Sequence, residues 1–336
     1  MTRRLRAIAL SAVCVVAATS LTGCGAGHAL LGIHGAPQAN TASASLTPDQ
    51  ARSILTRAFT ARQQGETTTG AAALAAQRTA YTGQGLRAAN ARSRLAAVQP
   101  AGADSPALAP EQPLLLGVSR GFGFPRVIVA QTVAAEGSLP VLHLLTSANA
   151  STPYRISASA TMLLATSIKP FDALSKGSAL VEGGAGLAVS DTALLNAYAA
   201  GMAFPAKAVS NPPFTADIFF TQIRSKAAAT AKAVATQASF SQVHKVVPNS
   251  SYAVRQANGD ALVFGVIERT DSFTVKKGQA VNSAAYKEFV LLSGRRKVTK
   301  RASITTLEFV VFSVPRSRGQ ATLVAASEQV VAGSGS

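Results

Sequence analysis

Helical spacing of apolar residues gives way to strand-like spacing twice along this chain, and that order leaves few folds open. Thr47-Pro48-Asp49-Gln50 opens the first helix: Thr at the cap, Pro at the first helical position, Gln at the third. Ala51, Ile54, Leu55, Ala58 and Phe59 then recur three and four residues apart, with Arg52, Arg57 and Arg62 mostly off that stripe. Gly65 is expected to stop it. Residues 71–81 and 86–98 read as further alanine-rich helices, and residues 100–113 as a Pro-rich loop. The period then shortens. Residues 127–134, 139–147 and 154–166 read as strands, and residues 170–186 as a loop ending in Gly183-Gly184-Ala185-Gly186.

The succession then repeats. Ser190 can cap a helix with Asp191 in its first turn, where a carboxylate suits the helix dipole. Leu194, Leu195, Tyr198, Ala199 and Met202 form its stripe. A longer helix is expected over 215–238, carrying Phe219, Phe220, Ile223, Ala227, Ala231 and Val234. Strands are expected at 251–256, 261–269, 286–292, 304–314 and 321–331. Runs of helices followed by runs of strands argue an α+β fold with antiparallel sheets, because hairpins replace helical crossovers. The expected organisation is a first α+β unit over 46–186 and a second over 187–332.

The N-terminus has a different character. Residues 1–23 have the three parts of a secretory signal: Arg3, Arg4 and Arg6, then an apolar run too short to span a bilayer, then Leu21-Thr22-Gly23-Cys24. Small residues before a cysteine resemble the bacterial lipobox, which implies cleavage before Cys24 and a diacylglycerol on its thiol. Two acyl chains anchor stably where one binds only marginally. Residues 24–45, rich in Gly, Ala, Ser and Thr, are expected to be a flexible tether. The expected location is the extracytoplasmic face of the cell membrane. Cys14 leaves with the signal, so the mature chain would hold neither a disulfide nor a free thiol.

Charge narrows the partners. The chain has 32 Lys and Arg; without the three signal arginines 29 remain against 15 acidic residues, a net of +14. Such a surface favours anionic lipid or anionic wall polymer, and export argues against nucleic acid. The densest cluster is Arg295-Arg296-Lys297 with Lys300-Arg301, between two expected strands. Lys276-Lys277, and further off Arg316 and Arg318, are expected to lie beside it.

The lipobox and the two helix-then-strand units together resemble a family of actinobacterial lipoproteins of unknown function. Tyr154-Arg155-Ile156, Ile168-Lys169-Pro170-Phe171 and Leu194-Leu195-Asn196-Ala197-Tyr198 are the stretches most like it. The resemblance implies halves similar to the cystatin-like or nuclear-transport-factor-like fold, a curved sheet wrapped on a helix. It brings no catalytic residues.

Searches for catalytic patterns return little. There is no H-E-x-x-H, C-x-x-C or phosphate-binding G-x-x-x-x-G-K-[ST]. Gly117-Val118-Ser119-Arg120-Gly121 fits the hydrolase G-x-S-x-G, but Phe122-Gly123-Phe124-Pro125 follows where a helix would have to start. His143 lies within an apolar strand and His244 follows the long helix. Either is a conceivable general base in a cone-shaped cavity, with Asp172, Asp217 or Asp260 as partner, but no second group is tied to either by spacing, which favours a satisfied core or surface histidine. His28 and His34 in the tether lack further metal ligands nearby. The sequence therefore points to a non-enzymatic binding or envelope-associated lipoprotein, with no catalytic residue, cofactor or metal expected. An enzyme using a polar pocket in one half, and an assembly partner in the envelope, are the alternatives.

Overall fold

The computed structural model describes residues 42–98, 113–133, 137–206 and 210–336. The expected signal, Cys24, His28, His34 and the expected tether as far as residue 41 lie outside the described residues, as does almost all of the expected Pro-rich loop.

Three helices come first. α1 (Pro48–Thr67) has the expected capping box: the Gln50 amide donates to Thr47 Oγ1 at 3.3 Å, and the Thr47 amide to Gln50 Oε1 at 2.9 Å. It buries Ala51, Leu55, Ala58 and Arg62 along one side. α2 (Gly70–Ala80) and α3 (Gly83–Leu95) follow. Strands β1 (Leu114–Val118), β2 (Arg126–Thr132), β3 (Val141–Ser147) and β4 (Arg155–Met162) form an antiparallel meander.

The second succession begins with α4 (Asp191–Met202), capped by Ser190, and α5 (Ile218–Val234), capped by Asp217. Gly184 makes the approach to α4 possible. It has φ +76°, and a Cβ there would lie 2.5 Å from the Ser190 Cα. Strands β5 (Ala238–Val246), β6 (Tyr252–Arg255) and β7 (Ala261–Val275) come next. A small excursion follows: β8 (Val281–Asn282), α6 (Lys287–Ser293) and β9 (Lys297–Val298). β10 (Arg301–Val314) and β11 (Thr322–Gly335) close the chain.

The α+β class with an antiparallel sheet holds. The strands on either side of Gly186 join one sheet rather than two, in the order β1-β2-β3-β4-β11-β10-β7-β5, with β6 beside β7. The junction is narrow: Ala325 and Ala326 of β11 pair with Met162 and Thr161 of β4. α3 packs against both strands. A Cβ on Gly85 of α3 would lie 2.7 Å from the Ile156 carbonyl oxygen, so glycine lets the helix approach β4 this closely.

One face of this sheet carries a single core drawn from both halves. Val127, Val129, Leu142, Leu144 and Ala158 meet Leu262, Phe264, Leu307, Phe309 and Val311, and the loop residues Ile168, Phe171 and Leu180 pack on them. On the other face, α1–α3 cover Ile128, Ala130, Leu145 and Ile156. There α4 and α5 cover Val263, Ile267, Val310 and Phe312.

Three expectations about elements are corrected. Gly65 does not stop α1: it is buried inside the helix, which continues to Thr67. Residues 286–292 are not a strand: Lys287–Ser293 is helix α6, which buries Phe289 alone and ends at Gly294 in the left-handed conformation (φ +68°). Four apolar residues in a row, Phe289-Val290-Leu291-Leu292, suit either state, and the glycine cap decides for helix. The long helix stops at Val234, and Ala238–Val246 is strand β5. Its inward positions include Gln242 and His244, so the alternation of burial has no matching alternation of hydrophobicity.

Candidate functional site

β5, β7, β10 and β11 bring distant charged residues side by side, since His244 pairs with Arg269 and Arg269 with Thr306 in register. The Glu308 carboxylate is fully buried. It accepts from His244 Nδ1 at 2.9 Å and from Arg269 Nη1 at 3.0 Å. Arg269 Nη1 also reaches Glu328 at 2.9 Å, and Arg269 Nε lies 3.4 Å from Asp271. Burial works against the Arg269 charge, but Glu308, Glu328 and Asp271 outweigh it and raise its pKa. Burial pushes the Asp271 carboxyl up, with Arg269 opposing. For Glu328 burial acts upward, and Arg269 with Lys226 prevails, holding it below the usual carboxylate range.

A histidine on a carboxylate has the form of a general-base pair. Here its second nitrogen is occupied. The Gln242 carboxamide nitrogen lies 2.8 Å from His244 Nε2 and donates to the Met202 carbonyl at 3.0 Å. An amide nitrogen only donates, so Nε2 accepts and the ring proton sits on Nδ1, facing Glu308. The His244 side chain is fully buried, leaving no approach for a substrate. The arrangement can fix strands β5, β7, β10 and β11 to one another, and it offers no free base.

The other sequence candidates are dispersed. His143 is buried between Thr132 Oγ1 at 2.9 Å and Ser159 Oγ at 2.8 Å, edge-on to Phe59. Burial, and then the Arg62 charge, lower its pKa well below the ordinary value. Asp172 pairs with Arg120 and Lys176, Asp217 caps α5 and receives the Tyr198 hydroxyl, and Asp260 caps the turn at Arg316. None of the three hydrogen-bonds to either histidine, and the carboxylate that His244 does meet is Glu308. A lone acid between Leu307 and Phe309 was the signal that could have found it, since unpaired acids are rarely fully buried.

Ser119 is buried. Its Oγ lies 3.2 Å from Ser45 Oγ and accepts from the Val127 amide at 3.0 Å. Strand β2 follows it instead of a helix, so it is no nucleophile elbow. The cavity between α1, α3, β4 and β11, lined by Arg62, Tyr81, Arg92, Ser159 and Glu328, has a volume of about 20 Å³, room for roughly one water. Among the described residues no group of His, Cys, Asp and Glu could hold a metal ion. None of the described helices is long and apolar enough to cross a membrane.

The basic cluster does form one surface. Arg295 and Arg296 link α6 to β9, Lys297 opens β9, and Arg301 opens β10. The Val275 amide donates to the Lys300 carbonyl, which places Lys276 and Lys277 beside them. These seven and Lys287 are all exposed, and Glu288 is the one acidic residue from 276 to 301. Val275, Phe289 and Val298, packed with Val281 and Ile304, form the small core beneath. Tyr286 and Leu291 stand out of the same excursion, 67% and 44% exposed. Arg316 and Arg318 do not belong here: they lie beyond Val314, at the opposite end of β10, where Arg316 is tied to Asp260.

No protein-family model, curated protein or solved structure matches the chain.

Proposed function

We propose that the mature chain is an extracytoplasmic lipoprotein, anchored by lipid on Cys24, whose folded part works without catalysis by engaging an anionic envelope surface. The observation that carries this reading is the basic tip: eight exposed cations, one acid and two exposed apolar side chains on a single small core. Cations near an anionic membrane contribute about 1 kcal/mol each, and an interfacial Tyr and Leu add apolar contact. Both buried histidines have their ring nitrogens committed, which favours a binding role over an enzymatic one. The tandem α+β reading, two helix-then-strand successions along the chain, belongs to the same proposal.

Two measurements test it. Anchoring predicts that the chain partitions into detergent with membranes and that Cys24→Ala releases it; membrane retention of Cys24→Ala overturns the anchor. The tip predicts that Arg295→Glu, Arg296→Glu and Lys297→Glu together weaken binding of the Cys24→Ala form to anionic vesicles at low salt. Losing three contacts of this kind amounts to on the order of a hundredfold in affinity. Unchanged binding overturns the tip as the contact.

A further inference from the structure

We infer that a second, separate site, an open cleft between α1 and the loops β1–β2 and β3–β4, binds a sugar unit bearing an anionic group. The cleft has a volume of about 410 Å³ and is walled by Arg57, Phe124, Arg126, Ser147 and the segment 149–154. That volume lies within the range of small-molecule sites and suits one or two sugar rings. No acidic residue lines it.

Its cations are placed differently from those of the tip. Arg126, the first residue of β2, is held in position: Nη2 donates to the Phe122 carbonyl at 2.6 Å, and the guanidinium lies 4.2 Å from the centre of the Phe124 ring. Stacking of this kind orients a guanidinium while keeping its charge. Arg57 lies on the outer side of α1, exposed, with no ion pair or hydrogen bond of its side chain among the described residues. Tyr154 lines the cleft with them. It is 9% exposed, and its hydroxyl oxygen is buried with Ser45 and Arg126 as its polar neighbours, so the residue meets the cleft through its ring. An oxyanion in the cleft would accept from the two guanidiniums that wall it.

The far wall is preformed. Asn149 Oδ1 accepts from the Ser151 amide, Ser151 Oγ and Thr152 Oγ1, and Ser147 Oγ donates to the carbonyls of Asn149 and Thr152. Phe124, 38% exposed at the rim, offers a flat apolar surface of the kind on which a pyranose ring stacks. Guanidiniums for the charge and an aromatic rim for the ring together specify an acidic saccharide, its anion either carboxylate or phosphate.

The test is calorimetric titration of the detergent-solubilised full-length chain with glucuronate, glucose 6-phosphate, glucose and inorganic phosphate. Saturable binding of glucuronate or glucose 6-phosphate, with glucose failing to bind and phosphate weaker, is the expected result. Whichever of the two charged sugars binds more tightly identifies the anion. Arg126→Ala is expected to weaken that binding about tenfold or more, and Phe124→Ala, which removes the stacking ring, several-fold. Should Arg126→Ala fail to fold, the exposed Arg57→Gln replaces it with the same expectation. Binding of neither charged sugar, equal binding of glucose, phosphate binding as tightly as the sugars, or affinities unmoved in the Arg57 and Phe124 variants would each overturn the proposal. Because the tip is untouched in these variants, their vesicle binding should match the parent, which separates this site from the basic tip.

Discussion

His143 shows at the scale of one residue how burial turns a titratable group into a pH sensor of stability. Its folded-state pKa is held well below 6.5, first by burial and then by Arg62, whereas in the unfolded chain it returns to about 6.5. Above that value both states are neutral and the residue adds no pH dependence. As pH falls below it, the unfolded chain takes up the proton and the folded chain does not, so stability declines by about 1.4 kcal/mol per pH unit until the folded pKa is reached. His143→Gln, which can still bond Thr132 and Ser159, should remove that share of the decline; urea unfolding at about pH 7.5 and about pH 5 compares the two. An identical acid response in both proteins would mean that His143 does not carry it. Glu308 makes a complementary case. Glu308→Ala leaves the largely buried Arg269 short of one carboxylate and His244 without its acceptor, and should cost about 3–5 kcal/mol in the same assay at neutral pH. The histidines were legible in the sequence as candidates, His143 by its apolar strand. Their partners were not, because Glu308 lies 64 residues from His244 and 39 from Arg269, and only the register of β5, β7 and β10 brings them together.

Elements were legible in proportion to how far local chemistry decides them. Thr47, Pro48 and Gln50 announce the start of α1 because their side chains act on the backbone within one turn, and the structure shows both capping bonds. Thr47→Ala should therefore lower stability by about 1 kcal/mol in urea unfolding, while an exposed neighbour such as Thr56→Ala stays within about 0.5 kcal/mol. β5 was hidden for the opposite reason. Its inward face carries Gln242 and His244, which are apolar in no scale, and tertiary pairing with β7 alone makes it a strand. In α6 a run of apolar residues is split by exposure, with Phe289 inward and Leu291 outward, so composition misleads where the Gly294 cap informs. The basic cluster was visible as a run of residues, but its neighbours were set by geometry: Lys276 and Lys277 fall beside it through the pairing of β7 with β10, and Arg316 falls at the far end of the same strand.

At the scale of the whole molecule, the repeat seen in the sequence and the cooperativity of the structure pull in different directions. Two helix-then-strand successions suggest two bodies that could melt separately. The core on the common face of the sheet takes Val129, Leu144 and Ala158 from one succession and Phe264, Phe309 and Val311 from the other, so neither closes this core alone. α3 lies on β4 and β11 together, and the connecting loop adds Phe171 and Leu180 to the shared core while bridging to Gln256 and Val254. The β4–β11 pairing is too short to account for this coupling by itself, so the coupling rests on side-chain packing. The described part should thus unfold in one transition: amides of β3 and of β7 should lose exchange protection at the same urea concentration. Gly85→Ala sharpens the test, since its new Cβ would meet the Ile156 carbonyl at 2.7 Å, a backbone atom that cannot swing aside. Overpacking of this sort costs about 1–3 kcal/mol. If the halves are coupled, the loss appears equally at β3 and at β7; if they are independent, β3 alone shifts and β7 keeps its midpoint.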